Sequence, residues 1–391
     1  MVYDPLSIVH CPKKQQKPMK PEKINETKRL QSLDALRGFD MFWIMGGESI
    51  FIALGALTGW PLFQWWATQM DHVPWHGFVF YDMIFPLFLF IAGISFPFSY
   101  DKNYHGAGKR KELYIHIFKR AFILVVLGII YNNAVSFDFA NLRYGSVLGH
   151  IGLAWMFAAL IFINAGLKFR IVWVSCILLG YWFLLMFFPA HDLGATDPYS
   201  MEGSFTGLVD RMFMPGRLYL TIHDPEGILS IVPAIATALL GMLTGQFVKS
   251  DYLKNRLQKK VLLMILVGII LIIIGKIWGL AFPINKNLWT SSFVCFVGGI
   301  SLILFSLFYL VIDVWNFKRW TFFFTVIGVN SITIYLAHAL LDFGHTTEFL
   351  FGGFQSLFPE NWQDLIGALG YFAVGWVLLY FLYKKKIFLK V

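Results

Sequence analysis

Chemistry in this chain has to start from the few titratable side chains set into stretches that are otherwise hydrocarbon. A polar group left unpaired at membrane depth is expensive, so each one there calls for a reason. The most suggestive group is Asp71-His72-Val73-Pro74-Trp75-His76-Gly77, followed by Asp82 and the pair Phe85-Pro86. A neutral imidazole is well matched to general-base work near neutral pH, and Asp82 follows at a distance from which it could orient the ring of His72. His72 and His76 have the i, i+4 spacing of a metal pair, but Pro74 between them opposes regular helix, so no metal is expected. A third carboxylate, Glu48, lies behind Gly46-Gly47 well inside an apolar run. At the start of that run, Ser32 to Asp40 holds Asp34, placed to cap a helix, and Arg37, placed at a membrane interface. A further group consists of Arg143, Asp224-Pro225-Glu226-Gly227, Asn285-Lys286-Asn287 and the stretch from Asn330 to His338. Each member could simply cap or anchor its own helix. Together they would put acids, amides and imidazoles on one side of a membrane, which suits a ring bearing hydroxyls and an amine. Gly106-Ala107-Gly108-Lys109-Arg110 lacks the spacing and the Ser/Thr of a phosphate loop, and no GxSxG or strand-linked GxGxxG competes.

The elements that must hold these residues are apolar helices. Of 391 residues 57% are hydrophobic and 14% charged, and the mean hydropathy is +0.63, far from the mix of a soluble domain. Apolar runs fall near 36–58, 78–100, 121–137, 148–166, 172–189, 228–247, 261–279, 291–312, 321–341 and 364–383, each near the roughly 20 residues a spanning helix needs. The expected fold is all-α, a polytopic transmembrane bundle of about ten helices. With the N-terminus inside, 27 of the 32 Lys and Arg lie on inner segments, so the positive-inside rule puts both termini in the cytoplasm. That asymmetry accounts for the net charge of +9 without a nucleic-acid partner, since the basic residues form no single face or stripe.

Residues 1–31 read as a disordered, basic cytoplasmic tail with no removable signal peptide, and 32–391 as one transmembrane domain. Its longest outside segment, about 190–227, is long enough to expect function in it. The three cysteines, Cys11, Cys176 and Cys295, build neither a disulfide framework nor a metal site. Four GxxxG spacings, at Gly55/Gly59, Gly145/Gly149, Gly241/Gly245 and Gly275/Gly279, are expected to let helices approach closely. The basic stretches Lys109-Arg110-Lys111, Lys119-Arg120 and Lys384-Lys385-Lys386 read as anchors beside lipid headgroups or as phosphate-binding groups on the inner face.

At these same clusters the sequence resembles the heparan-α-glucosaminide N-acetyltransferase family of transmembrane acetyltransferases, including its bacterial relatives. The matching stretches are RLQSLDALRGFDMFW at 29–43, HVPWHGFVFYDMIFPLFLFIAG at 72–93, LRYGSVLGHIG at 142–152, DPEGIL at 224–229, PINKNLW at 283–289, NSITIYLAH at 330–338 and YKKKIFLKV at 383–391. They run in order over nearly the whole chain after residue 28. The resemblance implies transfer of acetyl from cytoplasmic acetyl-CoA, the co-substrate, to the non-reducing terminal glucosamine of a glycan on the far side. It puts the essential histidine on His72, in an H-x-x-W-x-G pattern, and implies a central pore for the pantetheine arm and a homodimer. Two departures stand out: the luminal domain preceding the first span of the animal enzyme has no counterpart here, and Glu48 falls where that enzyme carries an asparagine.

On this reading His72 takes the proton of the acceptor amine, with Glu48 or Asp82 orienting the ring or holding the amine. An acetyl-histidine intermediate at His72 is the alternative within the same chemistry. Arg37, Arg120, Lys384 and Lys385 are the inner-face candidates for the CoA phosphates. Arg143, Asp224, Glu226, Asn285, Lys286, Asn287 and His338 are the candidates for the acceptor, an amino sugar or glycan end. The expected location is a bacterial inner membrane, with lipid as the surrounding partner and the site open to the periplasm. The competing class is a proton- or cation-coupled transporter using Glu48 and Asp82, and a non-catalytic glycan-binding membrane protein is the third.

Overall fold

In the computed structural model the described residues are 30–104, 109–132, 138 and 141–389, with the side chains of 101–104 left aside. The tail expected over 1–31 lies almost wholly outside them. In chain order the helices are α1 Gln31–Phe42, α2 Glu48–Thr58, α3 Pro61–Gln69, α4 Ile84–Tyr104, α5 Arg110–Tyr131, α6 Val147–Asn164, α7 Leu167–Phe187, α8 Phe205–Phe213, α9 Ile231–Lys249, α10 Leu257–Trp278, α11 Ser291–Tyr309, α12 Thr321–Gly328, α13 Ser331–Leu340, α14 Phe343–Gln355 and α15 Glu360–Lys384. Among the described residues nine helical stretches are long and apolar enough to cross a membrane, and counting the bent pair α12–α13 as one broken span gives ten. This is an integral membrane protein with the all-α bundle its sequence predicts.

Burial separates two layers. More than half of the apolar window of α4, α6, α9 and α11 is buried, against 28% or less for α5, α7 and α10. The first four form the centre, and the outer helices turn side chains such as Ile270, Ile273 and Ile277 outward, where lipid satisfies them as well as protein would. The centre is tight because its helices meet at small residues: a Cβ on Gly241 would stand 2.2 Å from the carbonyl oxygen of Phe90, and one on Gly245 2.3 Å from that of Ile94. The expected close approach is therefore found at this pair, between α4 and α9.

The first span is continuous but not regular. A π-turn, Trp43–Gly47, joins α1 to α2, and Gly46 within it has φ 107°, which a residue with a Cβ rarely adopts. The span expected as one helix over 321–341 is two, bent by 63° between Gly328 and Ser331. Asn330 at the break is buried and receives the Thr333 hydroxyl. The helix expected over 121–137 instead runs Arg110–Tyr131: its first turns mix Arg110, Lys111 and Glu112 with Leu113 and Ile117, which are buried in the core, so the polar residues hide the helix start. Asn132 ends it by donating to the carbonyls of Arg143 and Gly145 at 2.9 and 2.6 Å. Residues 133–137 lie outside the described residues. Helices α3, α8 and α14 were not expected, being too short for a membrane pattern.

Candidate active site

The segment between α3 and α4 is shaped by its own side chains. Asp71 accepts the backbone N–H of His72 at 2.8 Å, Pro74 blocks helix, and Gly77, at φ 124°, sends its N–H to the carbonyl of Ile284 at 2.9 Å. Trp75 donates to the carbonyl of Tyr199 at 2.8 Å and packs edge-on to His223. His72 is thereby held over the start of α4, where its Nδ1 lies 2.7 Å from Oδ1 of Asp82. The imidazole is 47% exposed and the carboxylate 1%. Oδ2 of Asp82 accepts the N–H of Val79, so the carboxylate is oriented from both sides. A carboxylate at Nδ1 selects the tautomer with the proton there, leaving the Nε2 lone pair as the acceptor.

Lys286 completes this group from the far end of the sequence. Its Nζ is 3.1 Å from both ring nitrogens of His72 and 3.6 Å from Asp82 Oδ1. It stands on the tight connection between α10 and α11. There Asn285 Oδ1 accepts the N–H of Leu288, Thr290 donates to the carbonyl of Pro283 at 2.9 Å, and Asn285 Nδ2 donates to His76 Nδ1 at 3.2 Å. Burial lowers the proton affinity of the Lys286 amine, with Asp82 and Glu226 pulling the other way. Burial likewise lowers His76, against the pull of Asp197.

A second group faces the first. Arg143 holds Asp224 through two parallel hydrogen bonds, Nε to Oδ2 at 2.8 Å and a terminal nitrogen to Oδ1 at 2.6 Å, and also bonds Glu226. Asp224 is fully buried and accepts the N–H groups of Tyr219 and Glu226 as well. Burial works against the Arg143 charge, but these carboxylates outweigh it and hold the guanidinium protonated. Burial pushes the Glu226 carboxyl up while Arg143 restrains it. Arg143 also lies under the ring of Tyr219, 4.5 Å from its centroid, and that tyrosine is 63% exposed. His223 is pushed down to about 4 by burial, and its Nε2 donates to the carbonyl of Asn287, which ties this segment to the Lys286 loop.

Both groups line one cavity of about 630 Å³, walled by His72, Arg143, Tyr219, Glu226, Lys286 and Asn287 near its mouth and by Met41, Phe88, Ile151 and Tyr335 deeper in. Polar groups gathered from four inter-helix segments thus open onto an apolar shaft descending into the bundle, the usual make-up of a small-molecule site. Among the expected residues, Asp82, Asp224 and Asn285 stand behind this wall and orient it.

Glu48 and His338 do not line the cavity. Glu48 meets the Ser49 hydroxyl at 3.4 Å, and its second oxygen is buried without a partner among the described residues. His338 stacks on Tyr371 at 5.8 Å. Arg37, bonded to Ser95 at 3.2 Å, lies in the first half of the span Gln31–Thr58, and Arg120, whose guanidinium covers Trp155 at 4.1 Å, lies at the middle of α5. Arg37 is one helical turn beyond Met41 at the cavity floor. Lys384 and Lys385 cover the rings of Tyr380 and Phe381 at the end of α15. Tyr219 was not expected in the site, and Tyr335 only as one residue of the stretch from Asn330 to His338. Nothing in their spacing marks them, although Tyr219 sits in the long segment between α7 and α9.

No family model matches the chain. The heparan-alpha-glucosaminide N-acetyltransferase of Mus musculus is 25% identical over 443 aligned residues, taking in 99% of this chain and 63% of its own length. That of Homo sapiens is 26% identical over 421, taking in 93% and 60%. The chain therefore spans about three fifths of the length of the curated relatives it matches. Over nearly all of its length this chain is similar to the heparan-alpha-glucosaminide N-acetyltransferases.

Proposed function

We propose that residues 32–391 form one transmembrane N-acetyltransferase domain that moves acetyl from cytoplasmic acetyl-CoA to the amine of glucosamine or another amino sugar on the opposite side. In a bacterial cell this would be the inner membrane, with the cavity open to the periplasm. The carrying observation is the His72–Asp82 pair, 2.7 Å apart, at the head of a cavity that descends to Met41. The positive-inside rule supports this orientation, since with the N-terminus inside 27 of the 32 Lys and Arg fall on inner segments of the sequence.

Acetyl-CoA is too large and too highly charged to cross a bilayer, so its nucleotide has to stay on one face while its thioester end reaches the other. The residues fit that demand. Arg37 lies one helical turn from Met41 on the side away from His72, Arg120 lies at mid-span in α5 with its Nε buried and unpartnered among the described residues, and Lys384 and Lys385 stand at the end of α15. The donor supplies an activated acyl group. His72 accepts the proton of the neutral amine at Nε2, while Asp82 fixes the tautomer and stabilises the imidazolium. Glu226 and Asn287 offer hydrogen bonds to the amine and hydroxyls of the acceptor, and Tyr219 offers an exposed ring face.

The test is acetyl transfer by the purified protein in lipid nanodiscs, with acetyl-CoA and a panel of amino sugars, following thiol release and the N-acetylated product. Turnover that disappears in His72→Ala is expected. A protein that binds no CoA and acetylates none of the sugars, or one that instead moves a solute across vesicles, would sink the reading.

A further inference from the structure

Resting on that acetyltransferase reading, we propose that Lys286 is a catalytic residue: its ammonium donates the proton to the departing thiolate and is then recharged by His72. Geometry comes first. Nζ of Lys286 lies 3.1 Å from each ring nitrogen of His72, 3.6 Å from Asp82, and on the wall of the cavity rather than behind it. Lysines bound only for structure usually end on a carboxylate or on carbonyls, as Lys260 does on the carbonyls of Val248 and Ser250. Lys286 ends on a carboxylate, Asp82, and on the ring of the base at once.

Charge makes the arrangement unstable in a productive direction. Before reaction the trio carries one negative and one positive charge, on Asp82 and Lys286, and a neutral ring. When His72 takes the amine proton, two cations stand side by side against one buried carboxylate, with Glu226 the other charged group facing Lys286. Like charges that close are disfavoured in a partly desolvated site, and release of a proton from Lys286 relieves them. At that moment the C–S bond breaks, and a thiolate in an apolar shaft is itself costly. Burial brings the lysine toward the range of a thiol, which favours transfer between the two.

The step balances. The amine nitrogen forms the C–N bond and gives one proton to His72 Nε2. The sulfur leaves with the C–S electron pair and takes one proton from Lys286. The imidazolium then returns its proton to the neutral lysine, whose Nζ lies over the ring 3.1 Å from Nε2 and swings into the ring plane to accept it, and amine plus thioester have become amide plus thiol. If the acetyl group passes first through His72, the sulfur still needs the same proton.

The experiment compares two donors, acetyl-CoA and S-acetyl-4-nitrothiophenol, whose thiol is acidic enough to leave unprotonated, on wild type, Lys286→Met and Lys286→Arg. Both variants are expected to lose roughly 10²–10³-fold with acetyl-CoA and to stay within about tenfold of wild type with the aryl thioester. Arginine keeps the charge but does not release a proton, so recovery by Lys286→Arg would reduce Lys286 to a fixed charge and overturn the proposal. Equal losses with both donors would overturn it too, as would loss of CoA affinity by calorimetry in Lys286→Met, since either makes the residue structural or a binding group. Wild type inert toward both donors would defeat the acetyltransferase reading itself, which is a separate outcome.

Discussion

Replacing Asp82 with asparagine alters the site by one atom and one charge. The amide oxygen can keep the N–H of Val79, now on Oδ2, which turns the amide NH2 toward His72 Nδ1. That nitrogen then has to accept, so the ring proton moves to Nε2 and the lone pair needed for the amine is lost. The carboxylate charge that faced the imidazolium goes as well. Unit charges about 4 Å apart interact by about 4 kcal/mol at an effective dielectric of 20. The ring is 47% exposed, and screening by water leaves about 3 kcal/mol, or roughly 10²-fold in rate. With the tautomer penalty added, kcat should fall roughly 10²–10³-fold with little change in the KM of either substrate. Initial rates in nanodiscs at saturating acetyl-CoA, with a melting curve to show an intact fold, measure this. A loss smaller than about tenfold, or one confined to KM, would mean that Asp82 does not govern the base.

Arg143→Met strands the buried carboxylate of Asp224 and should cost about 3–5 kcal/mol of stability, read as a lower melting temperature in detergent; an unchanged melt contradicts the pairing. Tyr219→Ala removes an exposed ring face worth about 1 kcal/mol, so acceptor KM should rise about fivefold while the KM of acetyl-CoA stays put. Burial pushes the Asp210 carboxyl up to about 7, against the N–H of Ile228. Because its folded value exceeds the unfolded value of about 3.9, the native state holds the extra proton between these limits. Stability from this group therefore falls as pH rises from about 4 to about 7 and is level above, by at most about 4 kcal/mol. Asp210→Asn should accordingly melt higher than wild type at pH 8 and alike at pH 4, and a variant that melts lower at pH 8 refutes the sign.

Much of the site was legible because polar residues are scarce in a membrane chain and each one announces itself. His72 and Asp82 stood out as a ring and a carboxylate near the mouth of a span, and Arg143, Glu226, Lys286 and Asn287 as polar groups at span ends on one side. Glu48 and His338 announced themselves equally, but neither side chain lines the cavity. Glu48 follows the π-turn at Gly46, which resets the helical phase, so counting from α1 misplaces its face. His338 lies beyond the 63° bend, which a uniform apolar run does not reveal.

The sequence alone determined the all-α membrane class of the protein, the approximate places of its apolar helices and the polar groups at their ends. Those follow from the length and hydropathy of single segments, which lipid reads one helix at a time. Tertiary structure decided which of those groups meet. The contact of Lys286 with His72 joins positions 214 residues apart, and the clasp of Arg143 on Asp224 joins positions 81 apart. Neither has a local signature. Such pairings depend on where α4, α6, α9 and α11 cross, and the crossings are set by backbones meeting at small residues such as Gly241.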